Sequence, residues 1–130
     1  MNEQEIKKLM YQIFSEYKAK YYSIPEIKNE IKAHDKLNNK LWNKFQKEKT
    51  LTNRKYFYED YVRDMEYDLK LLLLFLLDYF KKNNIKLSTK EIIMYKYILT
   101  FQETETTMHT ESQRYIGFGL PGLLGLGFYY

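Results

Sequence analysis

Three groups of residues in this chain are of types that do chemistry. Asp60, Asp64 and Asp68 recur at every fourth position, with Glu59 and Glu66 beside them. On a helix that spacing stacks carboxylates along one face, where paired acids can bind a divalent cation or serve acid–base work. A helical two-metal site would add Glu-x-x-His pairs from facing helices. The two histidines do not supply them: Ile31 stands at that spacing before His34, and Thr106 before His109. The acids therefore read as a solvated helix face, His34 as a residue in or bordering the core, and His109 as a lone side chain in a polar stretch. No G-x-S-x-G, P-loop or H-E-x-x-H pattern occurs, and these are the patterns that would signal a nucleophile, a phosphate cradle or a zinc site. The sequence thus assigns no catalytic residue, no metal ligand and no cofactor, and the chain is read as a non-enzyme with no evident small-molecule substrate.

Lysines form the second group. Lys28, Lys32, Lys36, Lys40, Lys44 and Lys47 fall opposite Ile27, Ile31, His34, Leu37, Leu41, Trp42 and Phe45 when the chain advances about 100° per residue,. Such a surface can contact phosphates, with strong salt dependence and little choice of sequence. Lys28, Lys32, Lys36, Lys40 and Lys44 are accordingly the candidate nucleic-acid contacts. The plainer reading is the solvated side of an amphipathic helix. A helix-turn-helix built from Ser23–Ala33 and Lys36–Lys47 is disfavoured, because no glycine marks a turn at His34-Asp35 and no Arg precedes Arg54,.

The third group is the uncharged segment 117–130, GFGLPGLLGLGFYY, which holds all five glycines of the chain. Its start formally matches G-x-G-x-x-G, but the dinucleotide motif needs a strand before it, a helix after it and an acidic residue about twenty positions on. None of that is available here. The apolar side chains still favour burial. Phe118, Leu120, Leu123, Leu124, Leu126, Phe128, Tyr129 and Tyr130 are the expected contacts to a partner protein or a second copy. Folding back over the chain's own core, or entering a membrane, are the alternatives.

The elements that position these groups read as helices. Ile6, Leu9, Met10, Ile13, Phe14, Tyr17 and Tyr21 keep the spacing of one apolar helix face over 3–22,. Ser23 and Glu26 have the spacing of a capping box for a second helix over 24–48, with Pro25 in the first turn,. A long third helix over 54–82 carries Phe57, Tyr58, Tyr61, Val62, Met65 and Leu69 on one side, then the unbroken apolar run Leu71–Leu77. That run covers the whole circumference, so neighbours must bury it. It falls short of the roughly 20 apolar residues that span a bilayer. Asn83-Asn84 reads as its C-cap. Ser88 and Glu91 repeat the capping device for a fourth helix to about Phe101, with Ile92, Tyr95, Ile98 and Leu99 inward. The β-branched, aromatic run IIMYKYILTF makes a strand the alternative there,.

Length and composition bound the rest. At 130 residues the chain is long enough for one core,. Expected is an all-α bundle of three to four helices around the long third one, over 1–101, then a polar linker over 102–116 and the apolar tail over 117–130. Eighteen Lys against three Arg, with eight Asn and two Ala, fit an AT-rich genome, as small phage and mobile-element proteins do and ordinary bacterial ones do too. The net charge of +4 matters to an anionic partner only where it is clustered,. The absence of Cys excludes disulfides and thiolate chemistry,. A charged N-terminus is not a signal peptide, so a host cytoplasm or a virion is the expected location.

Overall fold

Each helix begins and ends where local chemistry dictates. The computed structural model describes residues 2–48 and 54–106, with side chains at 2–47 and 58–100. Helix α1 (Glu3–Tyr21) starts at Asn2, whose Oδ1 accepts the Glu5 backbone N–H at 2.9 Å, and its acids and lysines lie at the dipole ends that favour them,. Helix α2 (Pro25–Glu48) departs from the expected cap. The Lys28 N–H is accepted by the Ile24 carbonyl at 2.8 Å, and Ile24 N–H bonds Tyr21 at 3.0 Å. Ile24 therefore occupies the cap position and Ser23 lies in the turn before it. Proline supplies the first helical residue, where a missing N–H costs nothing.

Helix α3 (Arg54–Lys82) ends as Asn83-Asn84 predicts. Asn84 takes φ 56°. Ile85 N–H bonds the Phe80 carbonyl at 2.8 Å and Asn84 N–H bonds that of Lys81 at 3.3 Å. That pair of bonds is a Schellman motif, with Ile85 packed against the core beside Phe80,. Helix α4 (Thr89–Thr106) opens on the predicted capping box: Ser88 N–H to Glu91 Oε1 at 3.0 Å, Glu91 N–H to Ser88 Oγ at 3.3 Å,. It is a helix rather than the alternative strand. It also continues past Phe101 to Thr106, into the stretch expected to be linker. The remainder of that linker and the tail lie outside the described residues.

Side-chain contacts fix the arrangement. Lys18 pairs with Asp35, Asn38 with Tyr61, and Glu3 and Tyr17 with Tyr97 and Glu91 respectively. Sequence neighbours therefore run antiparallel, and α4 closes the ring against α1: an up-down-up-down four-helix bundle,. Its core takes Leu9, Met10, Ile13 and Tyr17 from α1 and Ile27 and Ile31 from α2. Leu69, Leu72, Leu73, Leu74, Leu76, Leu77 and Phe80 of α3 lie at the centre, against Met94, Tyr95, Ile98 and Leu99 of α4. Six leucines of the run 71–77 are at most 2% exposed and Phe75 is partly buried. The expectation of a central, fully surrounded third helix holds. On α4, Tyr95, Ile98 and Leu99 point inward as expected, Ile92 is only half-buried, and Met94 joins them.

Candidate functional site

The lysine surface is built by α2. Its apolar stripe, Ile27, Ile31, Leu37, Leu41 and Phe45, is buried against the bundle, which turns the other side outward. Lys32, Lys36, Lys40, Lys44 and Lys47 are exposed there. Lys28 is different: it is half-buried, with its Nζ 5.3 Å from the centre of the Tyr22 ring. From Lys36 to Lys47 the helix carries four lysines, three asparagines and no acid. Asp35, just before, is engaged by Lys18 at 3.5 Å.

Trp42 does not sit in the apolar stripe as its spacing suggests. It is 40% exposed at the edge of that stripe, on the side facing α3, and the lysines fall on the opposite side of the helix,. Phe45 and Tyr61 support it, each with its ring centre 5.4 Å away, and Phe45 in turn meets Tyr58 at 5.5 Å. The Tyr61 hydroxyl donates to Asn38 Oδ1, tying α3 to α2. Burial, followed by the neighbouring Tyr58, holds the Tyr61 pKa above its ordinary value, so the donor stays protonated. Tyr58 itself is 48% exposed. The sequence reading left Tyr58 out of any site; its spacing of three from Tyr61 was the available signal.

The acidic ladder is corrected. Asp68 is 1% exposed and Asp64 is buried as well, so two of its three carboxylates face the protein rather than solvent. Asp68 Oδ2 lies 2.7 Å from His34 Nδ1, and the Phe14 ring meets the imidazole edge-on at 5.3 Å. His34 is thus a partnered core residue, as expected. Among the described residues no group of three or more His, Cys, Asp or Glu could hold a metal ion.

Lys70 is likewise inside, 4% exposed, with its Nζ 3.9 Å from Glu66 and 5.4 Å from the Tyr97 ring centre. These residues line a cavity of about 120 Å³ together with Glu3, Lys7, Arg63 and Tyr67. Its charges largely answer one another. Lys7 lies 3.3 Å from Glu66 and 3.5 Å from Glu3; burial opposes its charge, but the two carboxylates outweigh that and raise its pKa. At about 30 Å³ per water, the space suits a few solvent molecules.

The eight candidate contacts of the tail, Phe118 to Tyr130, lie outside the described residues. Among the described helices none is long and apolar enough to cross a membrane. Comparison with protein-family models, with curated proteins and with solved structures found no match to this chain.

Proposed function

We propose that this chain is a non-enzymatic interaction or assembly protein that docks on a partner protein through its apolar segment 117–130. One observation supports the reading above others: the run Leu71–Leu77 is enclosed in a cluster that α1, α2 and α4 build around α3. That run was the greatest demand for cover in the sequence, and the four helices answer it. The tail brings eight large apolar side chains and no charge. Full burial of one such side chain is worth about 1.5–3 kcal/mol, so a groove on another protein that accepts several of them is a strong attractor. A virion component or host-factor binder of a phage or mobile element is the finer form of this reading, and it rests on composition.

The test compares the full-length chain with one ending at residue 116. The shorter chain is expected to keep its helical circular dichroism and melting midpoint. The full-length protein is expected to sediment from its native source as a complex or a self-associated species, and the shorter chain is expected not to. A truncated chain that unfolds, or that still assembles, overturns the reading.

A further inference from the structure

Exposed apolar side chains gather on one face of the bundle. Among the described residues, Tyr11 and Tyr58 are 48% exposed, Trp42 40% and Val62 36%, and the other large apolar side chain left as open, Ile93, lies on α4. Trp42 rests on Phe45 and Tyr61, and Tyr58 meets the same two rings at 5.5 and 6.3 Å. Val62 follows Tyr58 by one helical turn, which makes them neighbours on α3,. Tyr11 approaches from α1: partial burial, then Glu66, raises its pKa, and Tyr61 and Tyr58 are close enough to add to the rise. The face has a fixed base, because Phe45 is buried and the Tyr61 hydroxyl is held by Asn38. Apolar groups clustered in this way mark an interaction surface.

We infer that the chain's own apolar segment 117–130 covers this face, within the same molecule, until a partner takes the segment away. The inference rests on the reading of 117–130 as a docking segment and adds where that segment sits without its partner. Position and reach select this occupant. Because α4 runs antiparallel to α3, it ends where α3 begins and α2 ends, the end that carries Trp42 and Tyr58. Tyr97 of α4 stands level with Glu3 and Lys70. From there the helix continues to Thr106, about 13 Å at 1.5 Å per residue, toward Tyr58,. The stretch 107–116 then spans up to about 33 Å. Neighbouring helix axes are about 8–10 Å apart, so crossing two of them needs about 20 Å. The chemistry matches as well, since 117–130 brings leucine, phenylalanine and tyrosine side chains without charge to a face of rings. A tethered segment meets the face at an effective concentration on the order of millimolar, above what a second copy reaches in dilute solution. A docked-to-undocked ratio of about three to one reconciles this resting place with docking on a partner. It adds about 0.8 kcal/mol of stability and weakens the partner's binding only about fourfold.

The chain has one tryptophan and no cysteine, so Trp42 and a single introduced thiol form a unique pair. Full-length Gly125→Cys is labelled with a nitroxide, which quenches tryptophan emission only at short range, and compared with the same protein carrying a diamagnetic analogue of the label. Trp42 emission is expected to fall about twofold or more in the nitroxide form, as a three-to-one ratio requires, and by the same factor at every protein concentration. Replacing Tyr58 and Val62 together by Ser in the labelled protein should abolish the quenching. Both side chains are exposed, so circular dichroism should be unchanged; should it change, Leu123→Ser with Leu124→Ser in the segment itself carries the decision. Equal emission from the two labelled forms overturns the inference, and so does quenching that survives these substitutions. Quenching that grows with protein concentration gives the face to the segment of a second copy and overturns it too. None of these outcomes touches the docking reading, which stands or falls on loss of the complex in the chain ending at residue 116.

Discussion

His34 and Asp68 stand 34 positions apart and meet at 2.7 Å inside the bundle. Removing His34 takes this buried hydrogen bond from Asp68, and removing Asp68 takes it from His34. His34→Ala is therefore expected to destabilise the fold by about 2–4 kcal/mol, whereas replacing both by Leu should cost less than the sum of the single changes. A double-mutant cycle in urea measures the coupling; additive costs would mean the contact contributes nothing. Sequence spacing could not reveal this pair. An i+4 ladder reads the same whether it faces solvent or a neighbouring helix, and the partner lies on another element. The one usable hint was that Asp68 follows Tyr61 by seven, which puts it on the aromatic face,. Tyr17 makes a second prediction at this scale. Its buried hydroxyl donates to the Glu91 carboxylate, and burial, then Tyr95 and Glu91, push its pKa far above 10.0. Tyr95 is raised too, chiefly by burial, and Lys7 is raised by its carboxylates. A raised folded pKa means stability that is complete below the unfolded value and lost as pH rises past it. Melting points should hold steady up to about pH 9 and fall beyond about pH 10. Tyr17→Phe should lower stability near neutral pH by about 1–2 kcal/mol and make the alkaline fall shallower. An equally steep fall in the variant would assign it elsewhere.

Helix ends were the most legible elements, and they show why sequence rules succeed or fail. Asn83-Asn84 and Ser88-x-x-Glu91 act within a few residues of backbone, so reading them requires no tertiary knowledge; both form as expected. Ser23-x-x-Glu26 has the same pattern and does not form the box. Pro25 opens α2 one residue later, and Ile24 supplies the first carbonyl of the helix. Asn84 at φ 56° gives the elementary test. Asn84→Gly should be neutral or mildly stabilising, and Asn84→Val should cost about 1–2 kcal/mol through the left-handed conformation. Chemical denaturation that ranks Val at or above Gly would contradict the C-cap assignment. Less legible was the extension of α4 to Thr106, since the polar residues that follow Phe101 carry no apolar stripe. The lysine side of α2 was visible from spacing, but the exposure of Trp42 was not. Periodicity assigned Trp42 to the apolar stripe, and the structure leaves it at the stripe's edge, 40% exposed against the Phe45 and Tyr61 rings.

For the whole molecule, the decisive fact is that the longest apolar run is answered by the chain's own helices. Leu74 is fully buried at its centre, and Leu74→Ala should cost about 2–5 kcal/mol by the cavity it leaves,. A cost below 1 kcal/mol would place the run outside the core. Closure of this kind separates two roles within one chain. The bundle buries its own core, and the apolar segment 117–130 is proposed to serve a partner. The thermal melt of the chain ending at residue 116 tests that separation most directly. A midpoint within about 3 °C of the full-length protein, corresponding to less than 1 kcal/mol, is the expected result; a drop of about 10 °C or more, or loss of the cooperative transition, would make the tail part of the core and contradict the proposal.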